Sequence, residues 1–404
     1  MRSKLTLLFL ITTLLLSCTK KQNPLSKLIN ENVDLHSVAS NLDYEVQVLY
    51  TQIDRDSLNK PHFTTYNYQL DDNQYFYPAS TVKFPSVLIA LEKLNQLGIP
   101  SSARMEIDSA YSGQSAVTTD STSLNLEPSI SQYAKKILLV SDNDAFNRLY
   151  EFIGQDNFNH ILKEKGYTQS RINHRLSISL TNEENARTNP MRFYVDDEVI
   201  YKQDMQIGTG NYSASKNIKK GIGYISQGEL VNGPFDFSSK NFFPLREQHE
   251  MMQALIFPES FPEKAFDLRS EDRELVLKYS SIAPKESKIE AYQDMVHYWD
   301  SFAKFLVHGS QPDSEIPENI QIFNKIGLAY GYTIDNAYII DTLNNVEFFL
   351  TAVIHTNSNQ IFNDNEYEYD EIALPFMAKL GQSIYNFELE RPKKYTPNFE
   401  NIFD

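Results

Sequence analysis

The amino-acid sequence predicts a mixed α/β protein in which one sheet is assembled from both ends of the chain, with a helical region inserted between them. Three observations lead there. Strand-like alternation runs through Tyr44, Val46, Val48 and Tyr50 and returns near the C-terminus over residues 338–341 and 346–355. Between these ends, apolar residues recur at helical spacing in several separate segments. No internal repeat is visible.

The first residues differ from everything after them. Arg2 and Lys4 precede a mostly apolar run, residues 5–16, which ends in Leu15-Leu16-Ser17-Cys18. Too short for a stable membrane helix, the run reads as a signal peptide. Its end resembles a bacterial lipobox, so Cys18, the one cysteine of the chain, is the expected lipidation site. Residues 1–18 are therefore assigned to a lipoprotein signal peptide and the polar residues 19–40 to a tether. At ~0.8 kcal/mol per buried methylene, several acyl chains anchor a protein without a spanning helix. The expected location is the cell envelope, with the folded domain in the periplasm or at the cell surface and the membrane as a partner through Cys18.

Residues 41–385 form the expected catalytic domain, with sheet segments at about 41–75 and 320–385 and helices between about 78 and 315. A hairpin is expected over 44–68. Val82, Val87, Leu88, Leu91 and Leu94 then share one helical face, stopped by Gly98 and Pro100. Pro85 is tolerated only where that helix has barely begun, which holds its start close to Ser80. The polar stretch 109–125 reads as loop. Pro128 and Ser129 open a helix, and a second follows Ser141-Asp142-Asn143, carrying Phe146, Leu149, Tyr150 and Ile153 up to Gly154. Residues 193–243 read as an insert with a hairpin around Asp196-Asp197-Glu198. Helices are expected at 245–256, 288–307 and 372–385, and residues 386–404 form a tail.

Composition excludes several classes. Gly and Pro number 14 and 17 in 404 residues and aromatics reach 12%, which is a folded composition rather than a collagenous or disordered one. A single cysteine allows no internal disulfide framework and no Cys-rich zinc site. The formal net charge of −16 repels phosphate backbones, and the only basic clusters, at 216–220 and 391–394, are short; no nucleic-acid partner is expected. The eight histidines show neither H-x-x-x-H nor H-E-x-x-H spacing, so no metal and no cofactor is expected.

The chemistry concentrates at three places. Ser80-Thr81-Val82-Lys83 is one of five S-x-x-K spacings, the others starting at Ser17, Ser57, Ser213 and Ser301. Only Ser80 opens an amphipathic helix behind a strand region, where i and i+3 share a face and the Lys83 amine can approach the Ser80 hydroxyl. A serine needs a base to become a nucleophile, and lysine serves only when burial or a nearby cation depresses its pKa. A helix start also offers backbone N–H groups to an oxyanion. At the helix break, Ser141 can relay a proton and Asn143 can grip a substrate carbonyl. Lys325-Ile326-Gly327 follows beside a strand candidate: its cation can bias the site toward an anionic substrate, and Gly327 can let the substrate lie close along the strand edge. K-x-G recurs at Lys219 and Lys379, so order and context decide.

In this order the three elements resemble the penicillin-recognising serine enzymes, specifically class A β-lactamases and their close relatives. Ser141 through Leu149 is similar to that family's helix pair, Thr188-Asn189-Pro190 to the end of its omega loop, and the stretch from Lys325 through Gly331-Tyr332 to Asn336-Ala337 to its strand and turn. The resemblance covers most of residues 40–385 outside 193–243. It implies an antiparallel sheet packed on helices, with a helical subdomain carrying the active site. It also implies Ser80 as acylated nucleophile, Lys83 as its base and Ser141 as proton shuttle. Asn143 would hold the substrate side-chain amide, Lys325 would lie near Ser141 and the substrate carboxylate, and the N–H groups of Ser80 and Leu328 would form the oxyanion hole.

Two departures stand out. Class A β-lactamases use an omega-loop glutamate to activate the deacylating water, yet no Asp or Glu lies between Glu164 and Glu183. His174 is the candidate stand-in, with an ordinary pKa near ~6.5. Ile326 replaces the usual hydroxyl residue, and losing one hydrogen bond to a charged group costs roughly 1.5 to 3 kcal/mol, about ten- to a hundredfold in binding. The leading expectation is a monomeric serine hydrolase acting through an acyl-enzyme on a β-lactam or similar small amide or ester. The alternatives are a peptidoglycan carboxypeptidase or esterase of the same superfamily, or a penicillin-binding sensor lipoprotein without turnover.

Overall fold

The structure is a computed structural model that describes residues 23–214 and 216–399; the signal peptide and Cys18 lie outside the described residues. In chain order, helices α1 (Pro24–Glu31) and α2 (Val33–Ala39) precede strands β1 (Gln47–Arg55) and β2 (Pro61–Tyr68), then α3 (Lys83–Leu97), β3 (Arg104–Ile107), α4 (Ile130–Val140) and α5 (Asn143–Ile153). Next come α6 (Gln155–Glu164), α7 (Asn182–Ala186) and the hairpin β4 (Met191–Val195) and β5 (Glu198–Gln203). Four short strands follow: β6 (Lys219–Lys220), β7 (Gly223–Ser226), β8 (Glu229–Asn232) and β9 (Phe235–Asp236). The chain closes with α8 (Leu245–Ile256), α9 (Ser270–Ser281), β10 (Ile320–Ala329), β11 (Tyr332–Asp341), β12 (Val346–His355), β13 (Ile361–Phe362) and α10 (Leu374–Glu390).

The main sheet has the order β10-β11-β12-β1-β2, and all its pairs are antiparallel. Its two chain ends meet where Gln47 pairs with Val353 and Gln52 with Phe348. Period-two alternation sorts its side chains between two cores. Phe348, Leu350, Ala352 and Ile354 face one core with Leu25, Ile29, Leu380 and Ile384 of the terminal helices. Phe349 and Tyr338 face the other, with Phe146, Leu149 and Met252 of the helical region. β11 and β12 are buried on both faces along their whole length, so their polar residues, such as Asp335, Asn336 and Glu347, are hydrogen-bonded inside the fold.

Three expectations are corrected. Residues 24–39, assigned to the tether, form α1 and α2: Asn23 and Asn32 cap them, and Leu25, Ile29, Leu35 and Ala39 bury completely against the sheet. Residues 288–307 do not form the expected helix. They fold as turns with one short 3₁₀ segment, Glu290–Tyr292, because side chains replace the helical ladder. Asp335 accepts from the Phe305 and Leu306 N–H groups at 3.1 and 3.0 Å, and Lys304 donates to Ser280 O, Ile322 O and Asn324 Oδ1, each at 2.7 Å. The final helix runs on to Glu390, into the expected tail, where buried Glu388 holds Tyr50 and Arg391. Within the expected insert, β4 and β5 form the hairpin, turning on Asp196 and Asp197 at φ 48° and 66°. No described helix is long and apolar enough to cross a membrane.

Gly381 lets α10 close on the 303–309 turns, since a Cβ there would stand 2.2 Å from Val307 N. Gly381→Ala gains about 1 kcal/mol in helix propensity but forces backbone apart, and overpacking costs roughly 1–3 kcal/mol. Urea denaturation should show net destabilisation; unchanged stability would mean that the contact yields freely.

Candidate active site

Ser80 lies in a 3₁₀ turn, Ala79–Val82, that feeds directly into α3. Pro85 falls at the third residue of α3, which accounts for its tolerance. Ala79 has φ 48°, a left-handed conformation costly for a residue with a Cβ, and it aims the next residue into a cleft of about 460 Å³. Gly327 makes this approach feasible. A Cβ there would stand 2.8 Å from Pro78 O and 3.2 Å from the Ala79 Cβ, so the glycine admits the Ser80 turn against β10 rather than, as its sequence position suggested, a substrate along the strand. Leu328, next on β10, lines the same cleft as Ser80, so the two residues assigned to an oxyanion hole are brought together.

Lys83 is fully buried and organises the centre. Its Nζ donates to Ser80 Oγ at 2.9 Å, Asn143 Oδ1 at 2.7 Å and Ser141 Oγ at 3.2 Å, and also to the Ser141 carbonyl. Helix geometry supplies these partners: Ser141 ends α4 at φ 58°, and Asp142 starts α5 by accepting from Ala145 N at 2.7 Å. Burial pushes the Lys83 amine down to about 7, against the smaller upward pull of Asp142. It can therefore be a neutral acceptor near neutral pH.

Lys325 Nζ donates to Ser141 Oγ at 2.8 Å and to Ile326 O at 3.0 Å. It is 2% exposed; burial, reinforced by the Lys83 charge, drives its pKa well down. Its place beside Ser141 is the one expected of it, and the cleft is lined by neutral side chains such as Asn143, Tyr330, Asn363 and Tyr367. Of the other S-x-x-K pairs, Ser301 and Lys304 are spent inside the fold, Ser301 on Gln311 O and Lys304 on α9 and β10.

The segment expected to carry the deacylation base is held by buried polar contacts. Arg175 pairs with Glu151 at 3.0 Å and donates to the carbonyls of Glu184 and Arg187. Asn147 grips Leu176 by both its N–H and its C=O. The next residue, Ser177, turns out at φ 54° into the cleft, where its Oγ accepts from Asn143 Nδ2 at 2.8 Å. His174 does not reach the cleft lining. Its ring lies flat behind Tyr77, 6.2 Å between centroids, Nδ1 donates to Arg175 O at 2.6 Å, and Nε2 is buried without a partner among the described residues. Burial, with Lys240 adding to it, lowers its pKa to about 4. Sequence reading passed over Ser177 because nothing in Arg-Leu-Ser marks which residue the clamp turns inward. It also passed over Tyr330, Asn363 and Tyr367, which a distant loop delivers.

Among the described residues, no group of three or more His, Cys, Asp or Glu could hold a metal ion.

This nucleophile-and-lysine geometry on a sheet closed by both chain ends defines a β-lactamase-like serine hydrolase. Residues 35–234, just under half of the chain, match the family model described as the β-lactamase enzyme family. A variant of the last common ancestor of Gram-negative class A β-lactamase superposes with a TM-score of 0.50 at 11% identity, covering 91% of this chain and 99% of that one. A β-lactamase from Xanthomonas campestris gives 0.49 at 12% identity, with 90% and 97% covered. The chromosome-encoded β-lactamase of Vibrio parahaemolyticus gives 0.47 at 12%, with 91% and 99% covered. No curated protein matches the chain.

With Lys83 at about 7, the neutral amine fraction grows roughly tenfold per pH unit below that value and saturates above it. The rate of covalent labelling of Ser80 should follow that curve and level off above about pH 7. A rise continuing to about pH 10 would show a lysine of ordinary basicity.

Proposed function

We propose that this protein opens a β-lactam or a similar amide or ester through an acyl-enzyme on Ser80. The observation that carries the reading is the Lys83 Nζ at 2.9 Å from Ser80 Oγ, buried and of lowered basicity. Ser80 Oγ attacks the carbonyl carbon as its proton passes to neutral Lys83. The Ser80 and Leu328 N–H groups hold the resulting oxyanion. The C–N or C–O bond breaks, and the departing atom takes a proton from Ser141 Oγ, resupplied by the lysines on either side of it. Water then cleaves the Ser80 ester, releasing the acid and regenerating the serine. Asn143 orients the substrate amide.

The cleft favours slow deacylation. A hydroxyl, Ser177, occupies the Asn143 Nδ2 contact, and no carboxylate lines the cleft among the described residues. General-base assistance is worth ~10²–10⁴-fold, so its loss lengthens the life of the acyl-enzyme. This observation also favours a second reading, a peptidoglycan carboxypeptidase or esterase, or a sensor that holds its adduct. The neutral lining further favours substrates that do not need a carboxylate contact. We place the enzyme at the cell envelope, anchored through lipidated Cys18 and acting as a monomer; the leader and lipobox of the sequence support the anchoring.

Intact-protein mass spectrometry after mixing with a penicillin should show one adduct on Ser80 that Ser80→Ala abolishes. Persistent labelling of that variant would remove Ser80 from the mechanism. Ser177→Glu, which places a carboxylate against Asn143, should shorten the adduct lifetime at least about tenfold. An unchanged lifetime would show that a missing base is not what limits release. His174→Ala should leave the lifetime as it is.

A further inference from the structure

The turn that joins β10 to β11 is built under constraint. Ala329 pairs with Tyr332, so Tyr330 and Gly331 alone make the turn, at φ 55° and 79°. Two positive values mark a type I′ hairpin, whose first position favours Asn, Asp or Gly. A tyrosine there is strained, and such strain persists only where the surroundings impose it.

Both groups of the peptide between these two residues are held from outside the hairpin. Tyr330 O accepts from His355 Nε2 at 3.2 Å, at the end of β12, and Gly331 N donates to Tyr369 OH at 2.8 Å. The central peptide of a hairpin turn ordinarily finds water, so two side chains devoted to it mark a conformation that the fold specifies. Tyr369 opens a five-residue π-helical turn, Tyr369–Ala373, ahead of α10, a rare geometry that recurs at functional sites. It lines the Ser80 cleft together with Leu328 and Tyr330.

The turn reaches both sides of the oxyanion hole assigned above. Ala329 and Tyr332 close the hairpin as a hydrogen-bonded pair, so the alternation of an antiparallel ladder leaves the Leu328 N–H on the free edge of β10. On the other side the Tyr330 ring meets Tyr77, three residues before Ser80, edge to face at 4.9 Å. Phe237 and Phe235 back the Tyr330 ring at 5.5 and 5.7 Å.

We propose that Tyr369 is a positioning residue for the oxyanion hole: by holding the Gly331 N–H it fixes the Tyr330–Gly331 turn and, through it, the spacing of the Leu328 and Ser80 N–H groups. The inference rests on the acyl-enzyme reading given above. Without the phenol oxygen the Gly331 N–H loses its acceptor, the strained turn relaxes, and the Leu328 N–H leaves the place where charge develops on the substrate carbonyl. That contact strengthens as the charge grows, so its loss falls on the chemical step rather than on substrate binding.

Stopped-flow acylation of the full chain in mild detergent, over a range of fluorescent penicillin concentrations, separates the limiting rate from the half-saturating concentration. Loss of an oxyanion donor outright costs ~10²–10³-fold, so Tyr369→Phe, which displaces one, should lower the limiting rate at least about tenfold. The half-saturating concentration should stay within about twofold. His355→Phe releases the other end of the same peptide and should act in the same direction, and the two substitutions together should cost less than the product of their separate losses. His355→Phe also keeps the test decisive where Tyr369→Phe misfolds. An intact limiting rate in either folded variant, a loss confined to half-saturation, or losses that simply multiply would each overturn the role given to Tyr369. Absence of any adduct on the parent chain would instead remove the acyl-enzyme reading beneath it.

Discussion

The site depends on one buried amine. Lys83 is taken out of water by α3, α4 and α5, and everything within reach of its Nζ is an oxygen: the hydroxyls of Ser80 and Ser141, the Ser141 carbonyl and the Asn143 amide. Among the described residues no carboxylate bonds it. An uncharged acceptor set satisfies the amine's hydrogen bonds without stabilising its positive charge as strongly as an ion pair would, which leaves desolvation as the dominant influence and brings the lysine down to about 7. Lys325, drawn to the same Ser141 hydroxyl, is itself held well below its ordinary basicity by burial and then by the Lys83 charge.

The frame that holds this amine is assembled from distant parts of the chain. Pairing of β1 with β12 places β10 alongside the Ser80 turn, and the missing side chain of Gly327 permits contact. The α4–α5 break then delivers Ser141 and Asn143 from the opposite side. Each is fixed by local geometry, Ser141 by a left-handed helix end and Asn143 by the cap that Asp142 forms. Shifting any of these backbones by an ångström would separate Lys83 from its partners, so the catalytic geometry and the packing of the helical core are the same problem.

The clamp on residues 173–187 decides which side chain the loop presents to the cleft. Arg175, Asn147 and Glu151 hold the loop as tightly as a catalytic loop requires, yet the residue it presents is Ser177. A hydroxyl there can relay a hydrogen bond but is far too weak a base to take a proton from water near neutral pH. Among the described residues no carboxylate lines the cleft, and the aromatic and amide wall from Tyr330 to Tyr369 gives its lining a neutral character.

The sequence by itself determined the sheet built from both chain ends, the hairpin at its start, the helix opened by Ser80 and the helix break at Ser141-Asp142-Asn143. These follow from period-two and helical spacing, from Pro85 and from Ser and Asp caps, all of which act within a few residues. It also ordered Ser80, Lys83, Ser141, Asn143 and Lys325, because their chemistry is written in residue type. Only the tertiary structure decided that residues 24–39 dock as helices, that 288–307 gives up its helix to Asp335 and Lys304, that His174 stays behind Tyr77 and that Ser177 turns into the cleft. Each of those outcomes rests on partners dozens to hundreds of residues away, and the burial and hydrogen bonds they provide outweigh local propensity.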